Sequence, residues 1–392
     1  MTVLRAIVAA GMVLAAAAIV PAQSAPVVPA CPRCGWRPPV ATRTVAVRNI
    51  GELERAIDGA RAGDGIVLAD GDYAVRRMLD IHSPNVTVRG RSADPAKVVL
   101  HGQGMTGDSV GVAISVSAPG VTVADLTIRD VAYHAIQVRG EAGASGFTLH
   151  NARLLDTGQQ LLKGSLSSNP VYADNGLVAC SDFSYTNSAP SNYTNGVDLI
   201  GAKGWVIRDN RFSRIRGPAS DGWKAGPTIL AWGGSADTAV LRNTIVDSFR
   251  GIALGLAFGV ATATRNVGPD LDHSGGVIRD NGIINLNGWA DEGIEANANR
   301  DVRIDHNTVL VEGSLPWSIS VRFSSSVARV TNNLTSRPTQ FRDGGLAVME
   351  NNVTGANRTW FLDAPGGDLH LSALGTTHAG GAGIVLWRPI AR

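Results

Sequence analysis

The pentapeptide VIRDN occurs at Val206–Asn210 and again, letter for letter, at Val277–Asn281. Aligning the chain on it brings out further copies: VLRN ending at Asn243, VRIDHN ending at Asn307 and ARVTNN ending at Asn333. Each alternates apolar and polar residues up to an asparagine and then starts a second short apolar run (NRFSRI, NTIVDS, NGIINL, NTVLVE, NNLTSR). The asparagines at 210, 243, 281, 307 and 333 are 33, 38, 26 and 26 residues apart, and Asn352 follows after 19. Looser copies carry Asp125 and Asn151. Irregular periods of roughly 20–50 residues are the signature of a solenoid.

A third apolar run closes each unit: HAIQVRG, NGVDLIGA, PTILAWGG, RGIALGL, EGIEAN and WSISVR. Three short strands per unit, with no helical periodicity between units, predict an all-β chain in which each unit is one turn of a single-stranded right-handed parallel β-helix. Each rung covers the open edge and apolar face of the one before it. Asparagine suits the corner because it tolerates a left-handed backbone and can hydrogen-bond to its neighbours up a stack. The repeated asparagines are therefore read as architecture. At the N-terminal end, Asn49 and Glu52 form a capping-box pattern, and Leu53, Ala56, Ile57 and Ala60 share one helical face. That predicts a short capping helix. The Gly-rich stretch from Asp363 to Arg392 is expected to be a loose cap at the far end.

The stretch ELERAIDGARAGDGIVLADGDY (52–73), the asparagine-cornered rungs and the terminal GDLHLS (367–372) resemble secreted right-handed β-helix proteins of the pectate-lyase-like superfold. The opening segment is most similar to polysaccharide lyases acting on alginate or chondroitin. The resemblance covers roughly residues 43–375 and is specific for fold; activity has to be argued from the site.

Composition fits this reading. Apolar residues make up 44%, aromatics only 5%, and 46 glycines suit short strands and tight turns. The net charge of +2, with no basic run, gives no support to nucleic acid as a partner. Arg5, the apolar run Ala6–Val20 and the small-residue exit Pro21–Ala25 read as a signal peptide over residues 1–24. No later segment is long enough for a membrane span. The expected organisation is a signal peptide (1–24), a flexible arm with Cys31-Pro-Arg-Cys34 (25–42), the β-helix (43–375) and a tail (376–392), exported and monomeric. Cys31 and Cys34 are expected to form a local disulfide, and Cys180 to be a buried thiol.

In the third runs, side chains alternate inward and outward. With Ile136, Val197, Ile229, Ile252, Ile294 and Ile319 inward, the outward set holds Gln137, Arg139, Asp198, Trp232, Glu295, Asn297, Ser320 and Arg322. Lys163 joins it if Gly164 aligns with Gly140. Flanking loops carry His134, Trp223, Lys224, Arg250, Asp291 and Glu292. Indoles stack on pyranose faces and cations meet uronate carboxylates, so this face is read as a groove for an acidic polysaccharide. The reaction it suits is β-elimination, in which a cation stabilises the enolate that forms when a base removes the proton beside the carboxylate. The expected roles are Lys163 as base, Arg250 as carboxylate neutraliser and Asp198 as a metal or hydroxyl ligand. His134 and Lys224 are further catalytic candidates; Arg139, Trp223, Trp232, Glu295 and Arg322 are candidates for substrate binding. No metal site is assigned, although Asp291, Glu292 and Glu295 could bind Ca²⁺.

Three rival readings stand beside this one: a glycoside hydrolase, a uronate epimerase, and a glycan-binding surface protein without catalysis. Asp198 and Glu295 are counted three rungs apart, too far for a hydrolytic pair. The Gly-His-Gly stretch of polygalacturonases and the DPH triplet of alginate epimerases are absent. Asp272-His273 and Asp305-His306 only superficially echo the Asp-His of pectate lyases.

Overall fold

A computed structural model describes residues 36–165, 171–256 and 265–384. Its strands form three long sheets of fourteen, ten and eleven strands, every adjacent pair within them parallel. Each turn of the coil contributes one strand to each sheet. In one rung these are Val206–Arg208, Arg211–Ser213 and Pro227–Trp232, which represent the first, second and third sheets. The molecule is thus a right-handed parallel β-helix. A continuous core of Val, Ile and Leu fills the coil, closed at its start by the helix Ile50–Asp58, which buries Leu53 and Ile57. The Asn49 side chain accepts from the Glu52 N–H, and Glu52 answers the Arg48 N–H.

The two VIRDN copies occupy the same place on different rungs. Val206 pairs with Ala239, and Ala239 with Val277. At the corner that follows, Asn210, Asn243, Asn281, Asn307, Asn333 and Asn352 form one unbroken ladder. Each amide Nδ2 donates to the next Oδ1 at 2.9–3.0 Å. The same Oδ1 accepts the backbone N–H of the asparagine below, at 2.9–3.1 Å. Ser181 begins the stack, donating its N–H to Asn210. One expectation needs correcting. The left-handed residue is the one before the ladder asparagine: Asp209, Arg242, Asp280, His306, Asn332 and Asn351 have φ of 53–58°. The bend and the ladder are divided between two neighbouring positions.

The far end also differs from expectation. Residues from Trp360 to Ile384 pack on the outer face of the second sheet, against Val246, Ile284, Leu310 and Leu334, and form a second core of their own. The described part of the C-terminal segment is thus a flank on the second sheet. Cys180 is disulfide-bonded, so it is not the free buried thiol expected. Cys31 and Cys34 lie outside the described residues; with three cysteines in the chain, a bonded Cys180 and a local Cys31–Cys34 bridge exclude one another. Close by, Trp36 stacks on His150 at 4.3 Å between ring centroids, holding the start of the chain against the first sheet.

Candidate functional site

Backbone pairing fixes the third sheet's face. Ile136, Leu162, Val197, Ile229, Ile252, Ile294 and Ile319 are in register and wholly buried. One residue on, Gln137, Lys163, Asp198, Leu230, Ala253, Glu295 and Ser320 form the outward column. Lys163 is outward as expected, but its neighbour Gly164 pairs with Val138, two places from Gly140. Two residues before the inward column, where the chain turns into the sheet, stand His134, Gln160, Asn195, Pro227, Arg250, Glu292 and Trp317. The corner column and the outward column together line the candidate groove.

At its upstream end Lys163, Asp198 and Trp232 come together. Lys163 Nζ donates to Asp198 Oδ2 at 2.5 Å, and the Trp232 indole N–H donates to Asp198 Oδ1 at 2.8 Å. Lys163 is 7% exposed and Asp198 2%. Such a pair is tolerated only because both carboxylate oxygens are answered. Asp198 does not pair with Lys203, which lies 3.6 Å from Asp237 instead. His134 stands one rung before Lys163. Burial pushes its imidazole down to about 4, and the Lys163 charge adds to the effect. Its Nδ1 lies 3.2 Å from the Gln160 carbonyl oxygen. In the neutral ring Nδ1–H donates there, which leaves the lone pair on Nε2.

Three rungs beyond Lys163 lies a second cluster. Arg250 donates from Nε to Asp291 Oδ2 at 2.6 Å, with Nη2 on the same oxygen, and its Nε is 3.1 Å from Glu295 Oε1. Burial alone would lower the guanidinium pKa, but Glu295 and Asp291 hold it above its usual range. Glu295 also accepts from Asn297 at 2.8 Å, and burial drives its pKa up despite Arg250. Glu292 accepts the Trp317 indole N–H at 2.8 Å and lies 3.7 Å from Arg342. Burial first, and the Glu295 charge second, push Glu292 up to about 8. A cleft lined by Asn192, Lys224, Phe249, Arg250 and Asp291 opens beside this cluster. These carboxylates turn their oxygens to Arg250, Asn297 and Trp317. Among the described residues no group of histidines, cysteines and acids is arranged to hold a metal ion, Asp291, Glu292 and Glu295 included.

The expected pairing of Lys163 with Arg250 on one sugar is therefore corrected. Three rungs at about 4.8 Å put roughly 14 Å between them, and Arg250 is clamped by acids. The other candidates join neither cluster by an ion pair. Lys224 is exposed and 3.4 Å from Asp221; Arg139 pairs with Glu141 and Arg322 with Asp343. Trp223 packs with Trp289 at 5.8 Å between ring centroids. Asp272 is structural, accepting the N–H groups of Gly233 and Leu256, and the buried His273 ring meets Thr238. Asp305 and His306 pair with each other at a ladder corner. Reading only the alternation missed Trp317 and Arg342. Trp317 was findable, since it stands two residues before an inward isoleucine, as His134 and Arg250 do before theirs. Arg342 lies beyond the last WSISVR-like run and had no such marker.

No family model matches the chain, and no curated protein matches it. Solved structures do. An alginate lyase from Paenibacillus sp. str. FPU-7 is 15% identical over 79% of this chain and 100% of that one, with a TM-score of 0.47. A polygalacturonase from Erwinia carotovora ssp. carotovora is 12% identical over 81% of this chain and 97% of its own, also at 0.47. PfbA, a surface adhesin of Streptococcus pneumoniae, is 12% identical over 78% and 85%, at 0.49. An alginate lyase, a polygalacturonase and an adhesin thus stand side by side among the matches. The strand pairings establish the fold by themselves, and the matches say nothing about which activity this chain has.

Proposed function

We propose that the protein is an exported carbohydrate-active enzyme that holds an acidic polysaccharide along the third sheet and cleaves it by β-elimination. The observation that carries this reading is the His134 imidazole, its Nδ1 anchored 3.2 Å from the Gln160 carbonyl oxygen, one rung from the buried Lys163–Asp198–Trp232 cluster. Elimination needs a proton acceptor beside a fixed positive charge. In this reading His134 Nε2 takes the proton from the carbon bearing the uronate carboxylate. The Lys163 ammonium, held in place by Asp198, balances the charge that spreads onto that carboxylate. The electron pair moves in to form a carbon–carbon double bond, and the glycosidic bond one carbon further breaks. The leaving oxygen takes a proton from water. The base role passes from Lys163 to His134 because the lysine's ammonium is engaged by Asp198. Export rests on residues 1–24, which lie outside the described residues; among those described, no helix is long and apolar enough to cross a membrane.

One observation favours a second reading, hydrolysis. Glu292, with its carboxyl pushed up to about 8, is a proton donor at neutral pH, and Asp291 and Glu295 flank it. A general acid beside a second carboxylate is what glycoside hydrolysis requires. Asp198 and Glu295 are three rungs apart, as counted from the sequence, and cannot form that pair. The test is to incubate the mature chain with alginate, pectate, chondroitin and heparin. New ultraviolet absorbance from unsaturated uronate, abolished in His134→Ala and retained in Glu292→Gln, supports elimination. Reducing ends without absorbance, lost in Glu292→Gln, replace it with hydrolysis. Binding with neither product leaves a glycan-binding protein.

A further inference from the structure

Arg216 stands out among the cationic side chains bordering this face. Its guanidinium carbon lies 4.4 Å from the centre of the Trp223 ring and 5.5 Å from that of Trp289. The two indoles are 5.8 Å apart and tilted by 35°. Arg139, Arg250, Arg322 and Arg358 all engage carboxylates. Arg216 has no carboxylate within ion-pair distance among the described residues, and its Nε is buried without a hydrogen-bond acceptor. A guanidinium fixed between two rings and left without an anion is prepared for one that arrives from outside.

The backbone supplies an independent observation. Trp223 has φ of +64° and follows Gly222, also at +64°. A left-handed conformation costs a bulky residue about 1–2 kcal/mol, and the reverse turn that carries it ends at Gly222 without needing Trp223 there. Two bonds hold the strained residue: its N–H donates to the Pro218 carbonyl at 3.0 Å, and its carbonyl accepts from Gly217 at 3.3 Å. Outliers held by their surroundings gather at ligand clamps. The effect here is to set the indole against Arg216 with both rings partly exposed.

Chain order gives the position. Trp223 leads into the strand Pro227–Trp232, three rungs beyond the His134 strand, and Trp289 leads into Ile294–Asn297, two rungs further. Both therefore stand at the corner between the second and third sheets, on the same side as His134 and Arg250. Lys224, next in the chain to Trp223, lines the cleft at Arg250. At about 4.8 Å per rung the two tryptophans lie roughly 14–24 Å along the coil from His134, a span that takes several sugar units to cross. Asp221 and Asp247 are the nearby negative charges, the first facing Lys224 and the second adding to the charge state of Arg216.

We infer that Arg216, Trp223 and Trp289 form a remote subsite for one uronosyl unit of a polymer held along this corner, the indoles meeting its ring and the guanidinium its carboxylate. The inference rests on reading the corner as a glycan groove, and it makes the protein selective for long acidic chains.

The experiment is calorimetric titration of the His134→Ala protein, and of wild type at low temperature, with hexameric and dimeric oligogalacturonate and oligomannuronate and with cellohexaose. Saturable binding of at least one uronate hexamer is expected. Trp223→Ala and, separately, Trp289→Ala should weaken that binding about tenfold and leave dimer binding unchanged. Arg216→Gln should abolish most of the preference for the uronate hexamer over cellohexaose. Circular dichroism shows whether each variant keeps the fold, and agreement between two independent tryptophan variants guards against a local collapse. Unchanged hexamer affinity in both tryptophan variants, or no hexamer binding by wild type at millimolar concentration, overturns the subsite. If no polymer is cleaved but hexamer binding is saturable and lost in Trp223→Ala, the subsite stands and elimination falls.

Discussion

Asn243→Ala tests whether the ladder holds the coil together. Asn243 is 1% exposed and sits mid-stack. Its Oδ1 accepts the Asn210 backbone N–H at 3.1 Å and the Asn210 Nδ2 at 3.0 Å, and its own Nδ2 donates to the Ile207 carbonyl at 2.9 Å and Asn281 Oδ1 at 3.0 Å. Alanine removes all four bonds and strands two donors of Asn210 where water cannot reach them. Each stranded buried group costs about 1–3 kcal/mol. The backbone bond from residue 243 to Asn281 survives, so the expected loss is about 3–5 kcal/mol. Asn352, at the last step, is partly exposed; its substitution removes three such bonds, but water replaces them. Its expected cost is about 1 kcal/mol. Equilibrium unfolding in urea, followed by far-ultraviolet circular dichroism at pH 7, measures both. A shared slope with midpoints ordered wild type, Asn352→Ala, Asn243→Ala is the expected result. Equal losses at the two sites, or a loss under about 1 kcal/mol at Asn243, would show that the strand ladders carry the stack and the amides merely accompany them.

Further outcomes follow from the same geometry. Burial lowers His134 and His150 from 6.5 to about 4 and His273 to about 3. Below pH 6.5 the unfolded chain therefore takes up protons that the folded one refuses. Stability is full above that pH and is lost as pH falls through about 4; a melting temperature that stays flat over this window refutes the assignment. Glu292 has the opposite sign: its raised folded value means stability is lost as pH climbs from 4.5 towards about 8. Glu292→Gln should accordingly gain on wild type at pH 8 relative to pH 5 in paired thermal melts. Lys163→Met strands the Asp198 carboxylate and should cost about 3–5 kcal/mol in urea unfolding. The double variant Lys163→Met/Asp198→Asn keeps an acceptor for Trp232 and should recover most of that; no recovery means the ion pair is not the source of the loss. A Cβ at Gly251 would sit 2.0 Å from the Gly293 carbonyl oxygen, so Gly251→Ala should lower the melting temperature by several degrees and loosen the Arg250–Asp291 contact.

The rungs were legible because repetition makes each strand's face redundant. Six isoleucine or valine positions at matching places in the repeat predict the inward column, and the pairings reproduce it residue by residue. The site was legible only in part. Alternation places Lys163, Asp198 and Trp232 on one face, but it cannot say that one carboxylate serves both neighbours. It also gives no distance between Lys163 and Arg250 until rungs are counted. Corner residues escape alternation altogether, because the backbone there turns out of the pleat; His134, Glu292 and Trp317 are readable only by their fixed offset from the inward column. Arg216 sits in a loop and Trp289 near the end of the long strand Gly282–Ala290, where no offset holds. Cys180 misled for another reason: a disulfide leaves no periodic pattern around the cysteine.

The coil also limits which chemistries can coexist. Strand spacing fixes every side chain on this face to a ladder of about 4.8 Å steps, so a catalytic pair must come from the same rung or the next. Lys163 and Asp198 meet that condition, as do His134 and Lys163. Arg250, Asp291 and Glu295 meet it among themselves, but neither Lys163 nor Asp198 meets it with any of them. The groove therefore holds one reacting centre and one binding centre, and they cannot share a sugar. The cluster that binds will tolerate loss of its titrating group with a change in KM alone, whereas the cluster that reacts will lose kcat. The kinetics of His134→Ala and Glu292→Gln on one polymer assign the two centres. A loss of kcat in both variants would mean that the chain bends across the rungs instead of following them.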